Sequence, residues 1–247
     1  MKQAIATGSL SYLLTDKIAR LSFSHPKGNS LPLSLILQIT EQLKIAEQDS
    51  AVHVIILQSE PNGDAFCGGA YLTELKNLST ISELETFFQA FADLLLAIHS
   101  SSKFVLCRVH GKAVGGGVGI IAAADYALAL KDAAVRLSEA VIGFGPFVIA
   151  PSVEAKIGNA ALMELTLDSC WKDSEWCRTR NLFSNISNQI EQLDLELTEL
   201  ASRLAKIPST SASMLKSVLA KKNNITKELL YSRATISAQL FSNIGIK

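Results

Sequence analysis

The chain has 247 residues, enough for one domain with a substantial core. Hydrophobic residues make up 48% and Lys+Arg balance Asp+Glu at 23 each, which argues against a disordered chain and against a nucleic-acid surface. No run is long enough to cross a bilayer, the start MKQAIATGSLSYLL lacks the apolar stretch of a signal peptide, and the four cysteines form no CxxC, so the expectation is a cytoplasmic protein with reduced thiols.

In chain order, Leu10 to Leu14 and Ile18 to Phe23 read as two strands around the polar turn Thr15-Asp16-Lys17. The loop His25-Pro26-Lys27-Gly28-Asn29-Ser30 follows. Pro32 then suits a first helical turn, and Leu35, Ile36, Ile39, Leu43 and Ala46 repeat at helical spacing. Val52 to Leu57 is a strand, and Pro61-Asn62-Gly63-Asp64 a loop leading into Ala65-Phe66-Cys67-Gly68-Gly69-Ala70-Tyr71-Leu72. An amphipathic helix spans about Ser82 to His99, with Leu84, Phe87, Phe88, Phe91, Leu94, Leu95 and Ile98 on its apolar side.

Phe104 to Val109 is a short buried strand, and Gly115-Gly116-Gly117 opens the small apolar run Val118 to Ala124. Strands are expected at Tyr126 to Leu130 and near Val135 to Leu137. Ser138-Glu139 then starts a glycine-punctuated stretch ending at Gly143-Phe144-Gly145-Pro146. Beyond Ala150 the pattern is helical, at roughly 151–157, 159–167, 173–180, 190–206, 211–221 and 226–242, with Lys221-Lys222 as a solvated helix end. Strands alternating with helices, then helices alone, indicate an α/β core with a helical C-terminal region.

Two glycine-containing turns, Cys67-Gly68-Gly69-Ala70 and Gly115-Gly116-Gly117, can each present a bare backbone N–H. A helix starting at the second leaves its first N–H groups without partners, and such an end favours negative charge. Two donors converging on one carbonyl oxygen make an oxyanion hole; the alternative is that both are tight packing turns. Gly117-Val118-Gly119-Ile120-Ile121-Ala122 also fits the G-x-G-x-x-A dinucleotide pattern, but five residues already separate Val109 from Gly115 and Lys131 stands before Asp132.

Glu139 is the candidate acid, since burial among Ala140, Val141, Ile142 and Phe144 would raise its pKa above about 4.3 and suit it to carry protons near neutrality. A solvated or helix-capping glutamate is the plainer reading. Cys67 reads as a small buried thiol, and His110 as a structural hydrogen-bonding residue. His25, His53, His99 and His110 lack metal-ligand spacing, so no metal is expected.

These motifs resemble, in order, the crotonase (enoyl-CoA hydratase/isomerase) superfamily: His25-Pro26-Lys27-Gly28-Asn29, Ala65-Phe66-Cys67-Gly68-Gly69-Ala70, Gly111 through Gly117, Asp125, and Ser138-Glu139 through Gly143. Within it, the chain looks most similar to 3-methylglutaconyl-CoA hydratase-like members. The resemblance implies a ββα superhelix over residues 1–190, a helical trimerisation region over 191–247, and a homotrimer or dimer of trimers. It also implies oxyanion donors on Ala70 and Gly116, and Glu139 as the α-carbon acid/base. The acyl-CoA substrate, whose coenzyme A is the only cofactor implied, would lie against Ala65, Gly68, Ala70, Tyr71, Leu72, Gly115, Gly116, Ser138 and Gly143. Its nucleotide end would meet Lys27 and Asn29. Phe144-Gly145-Pro146-Phe147 and Trp171 are candidates for shaping the acyl pocket.

Where two-glutamate hydratases of the family carry their first glutamate, this chain has Gly119. One carboxylate suffices to move a proton between two carbons, as in family isomerases. The dehydratases of polyketide β-branching, which form 3-methylglutaconyl thioesters, resemble this glycine-then-Ser-Glu pattern. The expected activity is therefore reversible hydration of a branched enoyl-CoA such as 3-methylglutaconyl-CoA, with double-bond isomerisation second. A non-catalytic acyl-CoA-binding subunit and a nucleotide-dependent oxidoreductase are the alternatives from other classes.

Overall fold

A computed structural model describes residues 7–60, 63, 65–219 and 225–244. The start of the N-terminal stretch, most of the Pro61–Asp64 loop and Lys221-Lys222 lie outside the described residues.

The chain opens with a hairpin, β1 (Ser9–Thr15) and β2 (Ile18–Ser24), closed by Asp16 and Lys17 at φ 51 and 67. A two-residue loop with both φ positive matches the twist of antiparallel strands. Then come α1 (Leu33–Gln48), β3 (Val54–Ser59), β4 (Ala65–Cys67), α2 (Leu72–Leu75) and α3 (Ile81–Ser100). Next are β5 (Phe104–Val109), β6 (Lys112–Val114), α4 (Gly116–Ala123), β7 (Tyr126–Leu130), β8 (Val135–Arg136) and α5 (Glu139–Ile142). The rest is α6 (Ala150–Asp168), α7 (Ser174–Thr179), β9 (Asn185–Ser187), α8 (Ile190–Leu204), α9 (Ser209–Leu219) and α10 (Lys227–Asn243).

Two sheets share these strands. The larger runs β1-β2-β3-β5-β7-β9, parallel except for the hairpin, and the smaller runs β4-β6-β8, wholly parallel. A lone bridge between Leu31 and Ala70 extends the smaller sheet by one position. Each unit thus gives one strand to the large sheet, one to the small, and then a helix. Because equivalent strands stack side by side, the turns that leave the small sheet are brought together at one end.

One face of the large sheet packs on α1, α3 and α4. The residues read as the apolar faces of α1 and α3 are buried there: Leu35, Ile36, Ile39, Leu43 and Ala46, and Leu84, Phe87, Phe88, Phe91, Leu94, Leu95 and Ile98. A capping box starts α3, with Glu83 N–H donating to Thr80 Oγ1 (3.2 Å) and Thr80 N–H to Glu83 Oε2 (2.9 Å). On the other face Ile18, Val54, Ile56, Leu106 and Leu128 meet Leu193, Leu197 and Ala201 of α8.

Some elements differ from the sequence reading. The strand expected at Val52 starts at Val54, because Val52 N–H closes a turn onto Asp49 O (3.1 Å). The short strands β4, β6 and β9 were not legible, since two or three residues carry no measurable alternation. The division near residue 158 does appear inside α6, where Gly158 sits at φ 80, ψ 160.

Candidate active site

The first turn follows β4. Gly69 has φ 76, and a Cβ there would lie 2.6 Å from Val114 O and 3.2 Å from Gly116 N. Only a glycine lets the two turns approach this closely. Gly68 N–H donates to Gly28 O (2.9 Å) and Tyr71 N–H to Leu31 O (3.0 Å), while Gly69 O accepts from Leu31 N–H (2.7 Å). Those bonds tie one edge of the turn to the Leu31 segment and leave the Ala70 N–H on the opposite edge, where Ala70 borders a cavity.

The second turn caps α4. Gly115 at φ 50 is the N-cap, and its N–H donates to Arg136 O (3.0 Å). Its carbonyl accepts from Val118 N–H (2.8 Å) and Gly119 N–H (3.1 Å), which starts the helical ladder and leaves the Gly116 N–H ahead of it without an intrahelical partner. A side chain at Gly116 would collide with the Phe91 ring, and one at Gly117 would lie 2.7 Å from Cys67 O. Glycine is therefore required by close approach at both positions.

Glu139 arrives from β8 at the first position of α5. Its carboxyl rests against Gly115, where an added Cβ would be 2.6 Å from Oε1. The residue as a whole is partly covered, but Oε2 is closed off from solvent and has no hydrogen-bond partner among the described residues. Burial pushes its pKa up to about 7, against the opposing pull of its own N–H and that of Ser138. The group can therefore take or give a proton near neutrality.

These groups line a cavity of about 80 Å³. Its apolar walls come from Leu72 of α2, Phe88 and Phe91 of α3, Ile142 of α5, and the segment Phe144–Ile149; Ser237 of α10 closes one side. Glu139 is the only titratable side chain on the wall among the described residues.

Of the sequence-predicted site residues, Gly68, Ala70, Leu72, Gly115, Gly116, Ser138 and Glu139 meet at this cavity. Lys27, Asn29, Ala65, Tyr71 and Gly143 do not border it. Asn29 is fully buried, its side chain tying the loop to the segments at the end of β3 and the start of β4: Oδ1 accepts from His25 N–H (3.0 Å), and Nδ2 donates to Glu60 O and Ala65 O (both 2.9 Å). These bonds take up the side chain within the protein. Tyr71 packs its ring on His25, 4.7 Å between centroids, and Gly143 is a left-handed cap beneath Ile244. Lys27 is exposed on the same loop.

Phe144 to Phe147 do line the cavity, whereas Trp171 lies elsewhere, under Lys112 Nζ at 5.8 Å. The Cys67 thiol is buried and pushed up to about 12, which fits an inert thiol. His110 makes no structural hydrogen bond among the described residues; both ring nitrogens are buried without partners. Gly117 and Gly119 are packed inside α4 against Cys67 and Ile149, so the dinucleotide pattern offers no open backbone to a pyrophosphate. Ile149 and Ser237 carried no sequence signal, because their places on the wall depend on how distant elements dock.

Residues 14–246 match the profile of the family described as enoyl-CoA hydratase/isomerase. The chain is 27% identical over 232 residues to a peroxisomal Delta(3,5)-Delta(2,4)-dienoyl-CoA isomerase of Arabidopsis thaliana, covering 87% of this chain and 82% of that one. It is 26% identical over 231 residues to a probable enoyl-CoA hydratase of Bacillus subtilis (strain 168), covering 93% and 84%. Among solved structures, an enoyl-CoA hydratase from Bacillus halodurans shares the fold, with a TM-score of 0.86 at 20% identity over 94% of each chain.

Proposed function

Since the chain belongs to the enoyl-CoA hydratase/isomerase family and has the crotonase fold, we propose that its cavity moves a proton at the α-carbon of an acyl-CoA thioester. The Ala70 and Gly116 N–H groups receive the thioester oxygen, and Glu139 carries the proton. The observation that carries this reading is the Glu139 carboxyl, its Oε2 buried without a hydrogen-bond partner among the described residues and its pKa pushed up to about 7, beside the bare start of α4.

The chemistry follows from charge. Removing the α-proton of a thioester leaves an enolate whose negative charge sits on oxygen. A fixed pair of N–H donors stabilises that charge, and each such donor typically contributes about 3 kcal/mol. The protonated Glu139 then returns the proton, either to the same carbon or to the γ-carbon, which shifts the double bond by one position. No group beyond the coenzyme A carried by the substrate is needed for this step. Its pantetheine arm would pass Gly68, Ala70 and Leu72.

Two features favour isomerisation over the hydration expected from sequence. Water addition of the two-glutamate kind uses a second acid/base, and none borders the cavity among the described residues. A side chain at Gly119 would lie 2.6 Å from Ile149 Cγ2, so Ile149 fills the room that a first glutamate would need. Among the described residues the walls also carry no cation to meet the free carboxylate of a 3-methylglutaconyl group, and burying that charge unpaired is costly. An uncharged acyl group fits better. Hydration is the second reading, supported by the likeness to the Bacillus subtilis probable hydratase.

The test is to incubate the enzyme with short 2- and 3-enoyl-CoA esters, straight and branched, in deuterated water. Deuterium entry and a moved double bond, without a 3-hydroxyacyl product, are expected. Glu139→Gln should lower both by about 10²–10⁴-fold while acyl-CoA still binds. A dominant 3-hydroxyacyl product would transfer the assignment to hydration. Binding with neither exchange nor turnover would leave only an acyl-CoA-binding subunit.

We also infer a homotrimer or pair of trimers, with residues 191–247 in the contact. An exposed apolar strip on α9 supports this: Met214, Leu215, Val218 and Leu219. No described helix is long and apolar enough to cross a membrane. Four unpaired cysteines support a reducing, cytoplasmic setting.

A further inference from the structure

Glu139 sits on a four-residue helix, α5, none of whose residues is fully buried; Val141 is 69% exposed, and Ser138 makes no side-chain cap. A single turn with so little burial does not fix its own orientation. It is closed on itself and then held from outside. The N–H groups of Gly143 and Phe144 both donate to Glu139 O, at 3.1 and 3.0 Å. The Phe144 ring lies edge-on to Phe241 of α10, 5.5 Å between centroids, and 6.0 Å from Phe88 of α3. Phe241 and Phe88 are 6.4 Å apart, completing a triangle of rings. A Cβ on Gly143 would come within 3.3 Å of Ile244, so the space above the cap is filled as well.

We propose that Phe241 is a positioning residue for the Glu139 carboxyl, acting through Phe144, with Ile244 closing the turn at Gly143. Phe241 does not border the cavity and touches no reacting atom. It fixes where the turn sits, and α10 is itself anchored by Leu230, Ala234 and Ala238 in the core and by Tyr231 Oη donating to Asp93 (2.9 Å). With the ring removed, the turn gains freedom, water reaches Oε2, and the carboxyl drifts from the α-carbon. A displacement of about 1 Å at a reacting group can cost on the order of 100-fold in rate.

The proposal rests on Glu139 being the proton carrier, so its test reads the carboxyl directly as well as the reaction. The two turns, α3, the 144–149 segment and α10 bring no other titratable side chain to the cavity among the described residues. A change in Glu139 titration therefore reports its own surroundings. Protein labelled with ¹³C at the glutamate carboxyls would be titrated by NMR, the Glu139 signal being assigned by its loss in Glu139→Gln.

In Phe241→Ala the midpoint should fall by a full pH unit or more, and α-proton exchange should drop roughly 10- to 100-fold in kcat with KM changed far less. Phe241→Leu should recover most of both. A folded Phe241→Ala protein with the parent's midpoint and exchange rate overturns the proposal. Should that variant fail to fold, Ile244→Ala is read by the same two measurements. If the midpoint moves while Glu139→Gln retains turnover, the positioning contact stands and the assigned reaction falls.

Discussion

At the scale of single residues, the Glu139 carboxyl costs the fold stability so that it can move protons. Its folded pKa of about 7 exceeds the unfolded value, so the native state holds the proton more tightly than the unfolded one. Stability is accordingly highest below the unfolded pKa, declines as pH rises toward 7, and is flat above it. From the usual 4.5 to about 7, at about 1.4 kcal/mol per pH unit, the full decline is on the order of 3–4 kcal/mol. Glu139→Gln should therefore be more stable than the parent at pH 8 by roughly that amount, and nearly equal at pH 4. Urea unfolding at the two pH values checks this; a less stable variant at pH 8 would mean that the carboxylate has favourable partners. The same carboxyl predicts that kcat/KM falls on the acid side of pH 7, where the base is protonated.

Gly119 is the second residue whose meaning changes in three dimensions. Its sequence position suggests a missing glutamate, and the structure shows the vacated room filled by Ile149. Gly119→Glu alone should overpack the helix, cost about 1–3 kcal/mol, and give no hydration. Gly119→Glu with Ile149→Ala should be the first variant to form 3-hydroxybutyryl-CoA from crotonyl-CoA. Efficient hydration by the single variant would show that Ile149 is not the obstacle.

At the scale of elements, long amphipathic helices were legible, because the apolar repeat of α1 or α3 needs only the residues within it. Of the small sheet only β8 was expected, near Val135 to Leu137; β4 and β6 were not, because their pairing partners supply the information. The docking of α9 was equally hidden. Lys216 looks like an ordinary surface lysine, yet Nζ donates to Asp125 Oδ2 and Lys103 O (both 2.7 Å), and Asp125 Oδ2 also accepts from Val105 N–H (2.8 Å). The pair is largely buried, with side-chain exposures of 7% and 17%. Lys216→Met would strand the carboxylate and should cost roughly 3 kcal/mol. Hydrogen exchange should speed up in α9 before the large sheet; uniform loss of protection would mean that the contact serves the whole fold.

For the whole molecule, α9 turns its other side outward, with Val218 and Leu219 exposed by 55% and 76%. Isolated apolar residues on a surface are ordinary, but a contiguous strip marks a contact surface. If copies of the chain meet there, Val218→Glu with Leu215→Glu should release monomers without unfolding them, as read by light scattering after size-exclusion chromatography. An unchanged mass would place any contact elsewhere.

The sequence by itself determined which chemistry was available: bare glycine turns after short apolar runs, one glutamate among apolar neighbours, and helices whose buried stripes follow from periodicity. Those properties are local, so they survive reading along the chain. Only the tertiary structure decided which of them meet. It brought Gly115 under the Glu139 carboxyl, tied the Asn29 side chain to Glu60 and Ala65 as well as to His25, and set Ile149 over Gly119. Contacts between residues this far apart in the chain depend on stacking equivalent strands side by side, and no local pattern encodes the distances that result.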